Sequence, residues 1–269
     1  MKMTVTVPNK ERIYADSLAV SKTWKNKLEL SNQQYLKFKP DRLRDTIETL
    51  IEGPVVKSGK VVIIAGFTGQ YSLALKAVVD DVLHTDLCDS FVALGRKLGL
   101  KSMKAHAENP PKFDNTLFYT SFEFVPIHAS ASSEILMLLQ TMSHSTYGYI
   151  EASLWDSTLS WNHLKDVYGF KSTIWREPIA IDRLGYDTDV FVARYYVDKK
   201  QKYSLSTDLK VIDAINEVHE EKIDFHELAA RIQVTSKNLR ESLERIDAAM
   251  HIKPFNERTK NTIKEIEIV

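Results

Sequence analysis

The chain has 269 residues, a formal net charge of zero and a hydrophobic content of 43%. A chain of this size can bury one large core, or one core plus a small appended domain. No run approaches the roughly 18 apolar residues of a membrane-spanning helix, and residues 1–10 lack the apolar centre of a signal peptide. We therefore expect an intracellular protein, cytoplasmic or associated with the nucleoid or nucleus, that has no membrane partner.

The composition gives little support for disulfide or metal chemistry. Cys88 is the single cysteine, which excludes intrachain disulfides and thiolate clusters. The eight histidines are scattered and show no His-Glu-x-x-His spacing. We predict no metal site.

The first 60 residues are basic, with 12 Lys and Arg against 7 Asp and Glu, whereas residues 203–269 carry 10 against 13. We treat residues 1–58 as a basic helical segment. Its mixture of aromatic and cationic side chains suits stacking on bases and pairing with phosphates. The candidates for nucleic-acid contact are Lys25, Lys27, Lys37 and Lys39. The alternative is an ordinary helical cover whose rings face the core and whose lysines are solvated.

A strand, a turn and a helix follow in residues 61–79. The β-branched run at residues 61–64 is typical of a parallel strand that is buried on both faces. Residues 65–72 then turn the chain into a helical pattern that contains Leu73 and Leu75. The turn is poor in glycine, so its backbone approaches a ligand less closely than a full Gly-x-Gly-x-Gly turn would.

Residues 82–86 form the second predicted strand, which ends in Asp86. A carboxylate about 20 residues past the turn can accept hydrogen bonds from both hydroxyls of a ribose. Asp89 is the predicted N-cap of the next helix, and Gly99 ends that helix. The remaining predicted elements are strands at 101–105, 115–121 and 147–153, a helix around 135–142, and strands at 173–175 and 189–197.

Residues 60–197 resemble the class I S-adenosylmethionine-dependent methyltransferases, because the pieces fall in that family's order. Residues 63–72 look like the cofactor loop, residues 83–86 look like the strand whose last carboxylate holds the ribose, and residues 105–114 resemble the segment beside the adenine. The resemblance implies an α/β fold with a doubly wound, seven-stranded Rossmann-like sheet over residues 59–200. It also implies S-adenosylmethionine as cofactor. The candidate cofactor-binding residues are Gly66, Gly69, Asp86 and His106, of which Gly69 and Asp86 keep the family's residue type.

The family's cofactor motif is incomplete in this chain. Ile63 stands where the family has an acidic residue, and Ala65 and Phe67 stand where it has glycines. His106 replaces the usual acid at the adenine position. The Phe67 ring would occupy the space of the cofactor's methionine portion and would therefore oppose its binding. We therefore expect no bound cofactor, and weak S-adenosylmethionine binding if the site functions.

Candidate catalytic residues lie after the fourth strand. Asn109-Pro110-Pro111 is similar to the Asn/Asp-Pro-Pro-aromatic motif of amino-methyltransferases, but Lys112 follows it and the triplet precedes that strand. In the catalytic place, Glu123 and His128 could act as an acid–base pair. The alternative is that Glu123 caps a helix or pairs on the surface.

The tail, residues 201–269, is predicted to be a separate small α+β domain. Residues 198–202 are read as a lysine-rich connector, and the first helix of the tail is expected around residues 209–218. Three amphipathic helices, the second and third capped by Asp224 and Thr235, precede a strand pair at 252–255 and 262–268. This order resembles a winged helix-turn-helix, which implies DNA contact by the third helix and the wing. The matching cations are Lys237, Arg240, Lys253 and Lys260. Acidic neighbours offset them, so docking of a protein partner or dimerisation is the alternative.

Three functional hypotheses follow. The first is a methyltransferase-fold protein that has lost catalysis and acts as a nucleic-acid-associated binding or regulatory factor in transcription or replication. The second is an active S-adenosylmethionine-dependent methyltransferase that modifies nucleic acid or a bound partner. The third is a protein-docking or dimerising module. A fold alone cannot choose between them, because function resides in sites.

Overall fold

The computed structural model describes residues 2–15, 18–19, 22, 60–77, 79–107, 109–111, 117–121, 131–144, 147–153, 157–183, 186–218, 222–251 and 263–269. The strands are β1 (Met3–Pro8), β2 (Lys60–Ile64), β3 (Asp81–Asp86), β4 (Lys101–Lys104), β5 (Leu117–Ser121), β6 (Tyr147–Ser153), β7 (Lys171–Arg183), β8 (Tyr186–Tyr196) and β9 (Ile263–Ile268). The helices are α1 (Gln70–Lys76), α2 (Asp89–Lys97), α3 (Ala131–His144), α4 (Ser157–Tyr168), α5 (Lys199–Glu217), α6 (Phe225–Arg231) and α7 (Ser236–Met250). Residues 10–15 are also helical.

Seven of the described strands form one sheet in the order β4-β3-β2-β5-β6-β8-β7. The pairs from β4 to β6 are parallel, and β8 runs antiparallel to both of its neighbours. The chain passes from β2 outward to β3 and β4, then returns to place β5 on the other side of β2. This reversal creates a crevice at the carboxyl ends of β2, β3 and β5, where open α/β sheets bind ligands.

The residues of β2 explain why both faces of this sheet are covered. Successive strand residues point to opposite faces, and all four residues of the run 61–64 are buried. Val62 and Ile64 join a large core that includes Ile135 of α3. On the other face, α1 and α2 contact β3 and bury Leu75 and Phe91.

A second, two-stranded sheet joins the two ends of the described chain. β1 pairs antiparallel with β9, with Met3 opposite Ile268. Two expectations change here. Residues 3–8 form a strand rather than part of a helical segment, and the partner of β9 is β1. The predicted partner, residues 252–255, lies outside the described residues.

The C-terminal helices share their core with the sheet domain. α5 packs against α3, and α7 packs against α4, α5 and β1. The residues that form this single buried cluster come from β1, the helix at residues 10–15, β2, β8, α3 to α7 and β9, and from the segments that join them. The predicted boundary at residue 200 falls inside α5, and the buried residues of the tail belong to the same cluster as those of the sheet.

A buried polar network crosses the same layers. Asp208 of α5 is completely buried and accepts hydrogen bonds from Tyr168 of α4 (2.8 Å) and Ser242 of α7 (2.5 Å). Arg245 of α7 donates to both of its carboxylate oxygens, at 3.0 and 2.7 Å. A buried carboxylate is tolerated when it is paired and fully hydrogen-bonded in this way, so the network fixes the relative positions of the three helices.

Side-chain capping marks the start of three of the five helices whose N-cap residues are described. Asp224 accepts hydrogen bonds from two backbone N–H groups of α6, and Thr235 accepts one from α7, as predicted. α5 begins earlier than predicted, because Asp198 and Gln201 form a reciprocal capping box. α2 has Cys88 at its N-cap, and the predicted cap Asp89 is its first helical residue. In the described residues, every helix is too short or too polar to cross a bilayer.

Candidate functional site at the carboxyl ends of the parallel strands

The ends of β2, β3 and β4 are tied together where the crevice opens. The Gly66 backbone N–H donates to the Thr85 carbonyl (2.9 Å), and the Thr85 hydroxyl donates to the Ile63 carbonyl (2.8 Å). The Ala105 N–H donates to the Asp86 carbonyl (3.1 Å). These bonds hold the loop after β2 against the last residue of β3, so the predicted positions Gly66 and Asp86 do lie together.

The loop after β2 adopts a backbone that suits glycine. Ala65, Phe67 and Gly69 have φ angles of +54°, +49° and +80°. This left-handed region is open to glycine and costs other residues roughly 1–2 kcal/mol, because the Cβ atom crowds the following carbonyl oxygen. The chain therefore keeps a glycine-type loop conformation at two positions that carry side chains.

Gly66 is required for a packing reason. A Cβ atom built on Gly66 would lie 2.3 Å from Nδ1 of His84, a residue of β3 that is completely buried. The imidazole therefore fills the space directly behind the loop. Gly66 was predicted as a cofactor contact, and the described geometry gives it a role in loop–strand packing.

Asp86 is enclosed by the same loop. Its Oδ2 accepts the Phe67 backbone N–H (3.0 Å) and its Oδ1 accepts the Cys88 N–H (2.8 Å), and the residue is only 9% exposed. Burial raises the pKa of Asp86 to about 6, against the opposing effect of backbone N–H groups from Cys88, Phe67 and Leu87. Each carboxylate oxygen is thus already bonded to the chain's own backbone, and the side chain presents little surface to a ligand.

Phe67, whose backbone N–H binds Asp86, also makes an aromatic contact. The ring of Phe67 lies 4.5 Å from the ring of Phe91 on α2, centroid to centroid, in a tilted arrangement. Phe91 is buried and Phe67 is partly exposed. The bulky residue of the loop is therefore held by an aromatic contact that adds to its apolar burial.

His84 is a buried polar residue that the sequence analysis did not single out as a site residue. Burial lowers the pKa of His84 to about 4, and its Nδ1 lies 2.9 Å from the Ser72 hydroxyl of α1. The imidazole is therefore neutral at physiological pH. The sequence offered one signal for this residue, a histidine within an apolar strand. The burial of that histidine depends on how α1 and α2 pack.

His106 lies just after β4 and is covered by the N-terminal segment. The Tyr14 ring stacks on the His106 ring with a centroid separation of 4.4 Å and an interplanar angle of 19°. Tyr14 itself remains 54% exposed. The segment after β4 was predicted to lie beside an adenine, and the ring that stacks there in the described structure belongs to the protein.

Comparison with solved structures identifies the architecture. The magnesium protoporphyrin IX methyltransferase ChlM from Synechocystis PCC 6803, solved with bound SAM, aligns with a TM-score of 0.55 over 68% of this chain and 97% of that chain, at 14% identity. The chain has a methyltransferase-like α/β fold. The 23S rRNA methyltransferase ErmE aligns at 10% identity over 78% of this chain and 98% of that chain, with a TM-score of 0.47. No family model matches the sequence, and no curated protein matches it either.

Most of the other predicted site residues lie outside the part of the chain that the structure describes. Glu123 and His128 lie outside the described residues, as do the nucleic-acid candidates Lys25, Lys27, Lys37, Lys39, Lys253 and Lys260. No group of three or more potential metal ligands occurs among the residues that are described.

Of the predicted tail cations, two are described and both are exposed. Lys237 and Arg240 lie in the first two turns of α7. Lys237 Nζ lies 3.9 Å from Glu241 Oε1. Arg245, further along the helix, is committed to the buried Asp208, so the cationic character of α7 is confined to its N-terminal end.

Proposed function

We propose that this chain is a methyltransferase-fold protein that has lost S-adenosylmethionine-dependent catalysis and acts as a nucleic-acid-associated binding or regulatory factor. The observation that carries the proposal is the enclosure of Asp86. A ribose would have to reach this carboxylate as a hydrogen-bond acceptor, but Asp86 is only 9% exposed and each of its oxygens already accepts one backbone N–H, from residues 67 and 88.

The surroundings of Asp86 support the same conclusion. Phe67 adds a ring where the resemblance calls for a glycine, and the contact with Phe91 holds that ring in place. Tyr14 stacks on His106 at the position that corresponds to the adenine. A ligand would have to displace both rings and break protein hydrogen bonds, and these costs subtract from its binding free energy. The residues present therefore do not fit S-adenosylmethionine as they stand.

Association with nucleic acid is supported by charge. The first 60 residues carry a surplus of five cations, and Lys237 and Arg240 are exposed at the start of α7. Binding to a phosphate backbone depends on such local surpluses of Lys and Arg rather than on the net charge of the chain.

Calorimetry tests the loss of the cofactor. We expect no measurable heat when S-adenosylmethionine or S-adenosylhomocysteine is titrated to millimolar concentration into the full chain. The matched variant Phe67→Gly removes the ring and keeps the loop conformation, and it tests whether steric exclusion alone prevents binding. Micromolar binding by the unmodified chain that disappears in Asp86→Ala would contradict the proposal.

An active methyltransferase is the second candidate function. It is favoured by the likeness to ChlM, which was solved with SAM bound, and by the position of Asp86 at the end of β3. If this candidate is correct, the full chain should transfer a radioactive methyl group from S-adenosylmethionine to nucleic acid or protein in an extract, and Asp86→Asn should abolish the transfer. Absence of transfer together with absence of binding removes it.

A further inference from the structure

One face of α5 carries a row of cations around an exposed tyrosine. Lys199, Lys200, Tyr203, Ser206 and Lys210 are all exposed, and their spacing of three or four residues places them on one side of the helix. Tyr203 is 59% exposed, the highest value among the large hydrophobic side chains described. Lys199 and Lys200 were predicted to be part of a connector, and they lie instead in the first turn of α5, which the capping box at Asp198 begins.

This row continues onto α7. The Asn238 side-chain amide donates to the Tyr203 hydroxyl at 3.3 Å, which joins the first turn of α7 to the second turn of α5. Lys237 and Arg240 flank Asn238 in the chain and are exposed. We call the surface formed by Lys199, Lys200, Tyr203, Lys210, Lys237, Asn238 and Arg240 the α5–α7 surface.

The charge of the α5–α7 surface is unbalanced. It contains five exposed cations, and the exposed acids on or beside it are Asp198, Glu241 and Glu244. Asp198 is engaged in the capping box, and Glu241 is 3.9 Å from Lys237. Across the described residues, no ion pair involves Lys199, Lys200, Lys210 or Arg240. These four cations are therefore available to bind an external anion.

We propose that the α5–α7 surface binds single-stranded nucleic acid, with its lysines and Arg240 on the phosphates and the Tyr203 ring stacked on a base. This proposal rests on the proposed function and names its interface. Sequence-tolerant binding of single strands combines a cationic track with exposed aromatic rings, since every base offers a face for stacking. Reading of duplex DNA by the exposed side of α7 is less well supported, because that side also presents Glu241 and Glu244.

Fluorescence anisotropy with the full chain tests the proposal. The probes are labelled oligo(dT), labelled oligo(U) and a mixed-sequence duplex of equal length, each measured across a salt series. We expect the single strands to bind more tightly than the duplex, and comparison of the two single strands tells DNA from RNA. Tyr203→Ala should weaken binding by about 5- to 150-fold, because one stacked base is lost. Tyr203→Phe keeps the ring and should bind like the unmodified chain.

The charge contribution is tested with paired variants. Lys199→Ala/Lys200→Ala should reduce the slope of log K against log salt by about 1.4, since each lost contact to a single strand removes about 0.7. Lys97→Ala/Lys101→Ala removes two exposed lysines from α2 and β4 and should leave the slope unchanged. Binding that survives both Tyr203→Ala and the lysine pair overturns the α5–α7 surface and leaves the proposed function standing. Stronger binding of the duplex overturns the single-strand assignment, and no binding of any probe overturns the proposed function itself.

Discussion

At the scale of single residues, the loop after β2 keeps the backbone of a glycine-rich turn without the glycines. Ala65 and Phe67 have positive φ angles, and the Phe67 N–H binds Asp86 in the folded chain. The hydrogen bond from the Phe67 N–H to Asp86 and the bond from Gly66 to Thr85 maintain this shape. The loop therefore has the backbone conformation of a glycine-rich turn although Ala65 and Phe67 are not glycines. The surrounding hydrogen bonds hold this conformation in place.

We expect Ala65→Gly to stabilise the fold or leave it unchanged. Glycine relieves a left-handed penalty of roughly 1–2 kcal/mol, while the greater freedom of the unfolded chain returns roughly 0.4–1 kcal/mol. The matched control is Ala74→Gly inside α1, which should cost about 1 kcal/mol. Urea denaturation of the two variants measures the difference, and an equal loss of stability in both would show that Ala65 carries no strain.

The pKa shifts of Asp86 and His84 act in opposite directions on stability. Asp86 has a folded-state pKa of about 6, above its ordinary value of 3.8, so the fold binds more protons than the unfolded chain between these values and stability falls as pH rises. His84 has a folded-state pKa of about 4, below 6.5, so the unfolded chain binds more protons and stability rises with pH over that range. In the unmodified chain, the two effects largely cancel.

Single substitutions should therefore expose each effect. The difference in unfolding free energy between Asp86→Asn and the unmodified chain should shift by about 3 kcal/mol in favour of the variant as pH rises from about 4 to 6. The reason is that the variant lacks the loss of stability that ionisation of Asp86 causes over this range. His84→Gln should become less stable by about 3 kcal/mol between pH 4 and 6.5, because the rising contribution of His84 is gone. Denaturant midpoints across this pH range measure both, and parallel curves for all three proteins would show that neither residue titrates as described.

Sequence reasoning found the strand that ends in Asp86 but could not find what encloses the carboxylate. The placement of Asp86 followed from a short apolar run and from spacing, which are local properties. The stacking of Tyr14 on His106 joins residues that are far apart in the chain, and the burial of His84 depends on helices packed from outside the strand. Such contacts have no local signature in a single sequence.

At the scale of elements, capping side chains were a more reliable guide to helix starts than local composition was. Asp224 and Thr235 were predicted from their side chains and do cap α6 and α7. The start of α5 was missed because the lysine-rich run 199–202 was read as a connector by composition. The Asp-x-x-Gln spacing of a capping box was present in the same residues and was the signal that could have located the helix.

Asp198→Ala should destabilise the fold by about 1 kcal/mol. The substitution removes the acceptor of the Gln201 N–H (2.8 Å) and leaves the first turn of α5 without its cap. Ser206→Ala, at an exposed position in the same helix, is the control and should have almost no effect. Thermal and urea denaturation measure both, and a cost below about 0.3 kcal/mol for Asp198→Ala would show that the box is not formed in solution.

Arg245 should behave as a structural residue of the helix layer. Arg245→Met removes the partner of the buried Asp208 carboxylate and should cost about 3–5 kcal/mol, because an uncompensated charge remains. Arg240→Met changes an exposed cation on the same helix and should cost little. Denaturation of the two variants separates these roles, and equal stability would contradict the geometry of the network.

At the scale of the whole molecule, the tail depends on the rest of the chain for its core. Leu205 and Ile212 of α5 belong to the same buried cluster as Ile135 of α3 and Val5 of β1. In a fragment of residues 198–269, Leu205 and Ile212 would lose Ile135 and Val5 from their cluster and would be exposed to water. We expect that fragment to show little fixed tertiary structure by near-ultraviolet circular dichroism, in contrast to the full chain. A fragment that unfolds cooperatively with native-like spectra would restore the tail as an independent domain.

The pairing of β1 with β9 also has a consequence for biosynthesis. Residue 3 faces residue 268, so this ribbon spans nearly the full length of the described chain. Contacts of such separation are formed late, because the loop between them must be closed first. A nascent polypeptide that emerges from the ribosome therefore carries residues 3–8 as an unsatisfied edge until translation has passed residue 268. The β1–β9 pair therefore forms only after residues 263–268 have been synthesised, and until then residues 3–8 are open to pairing with a wrong partner.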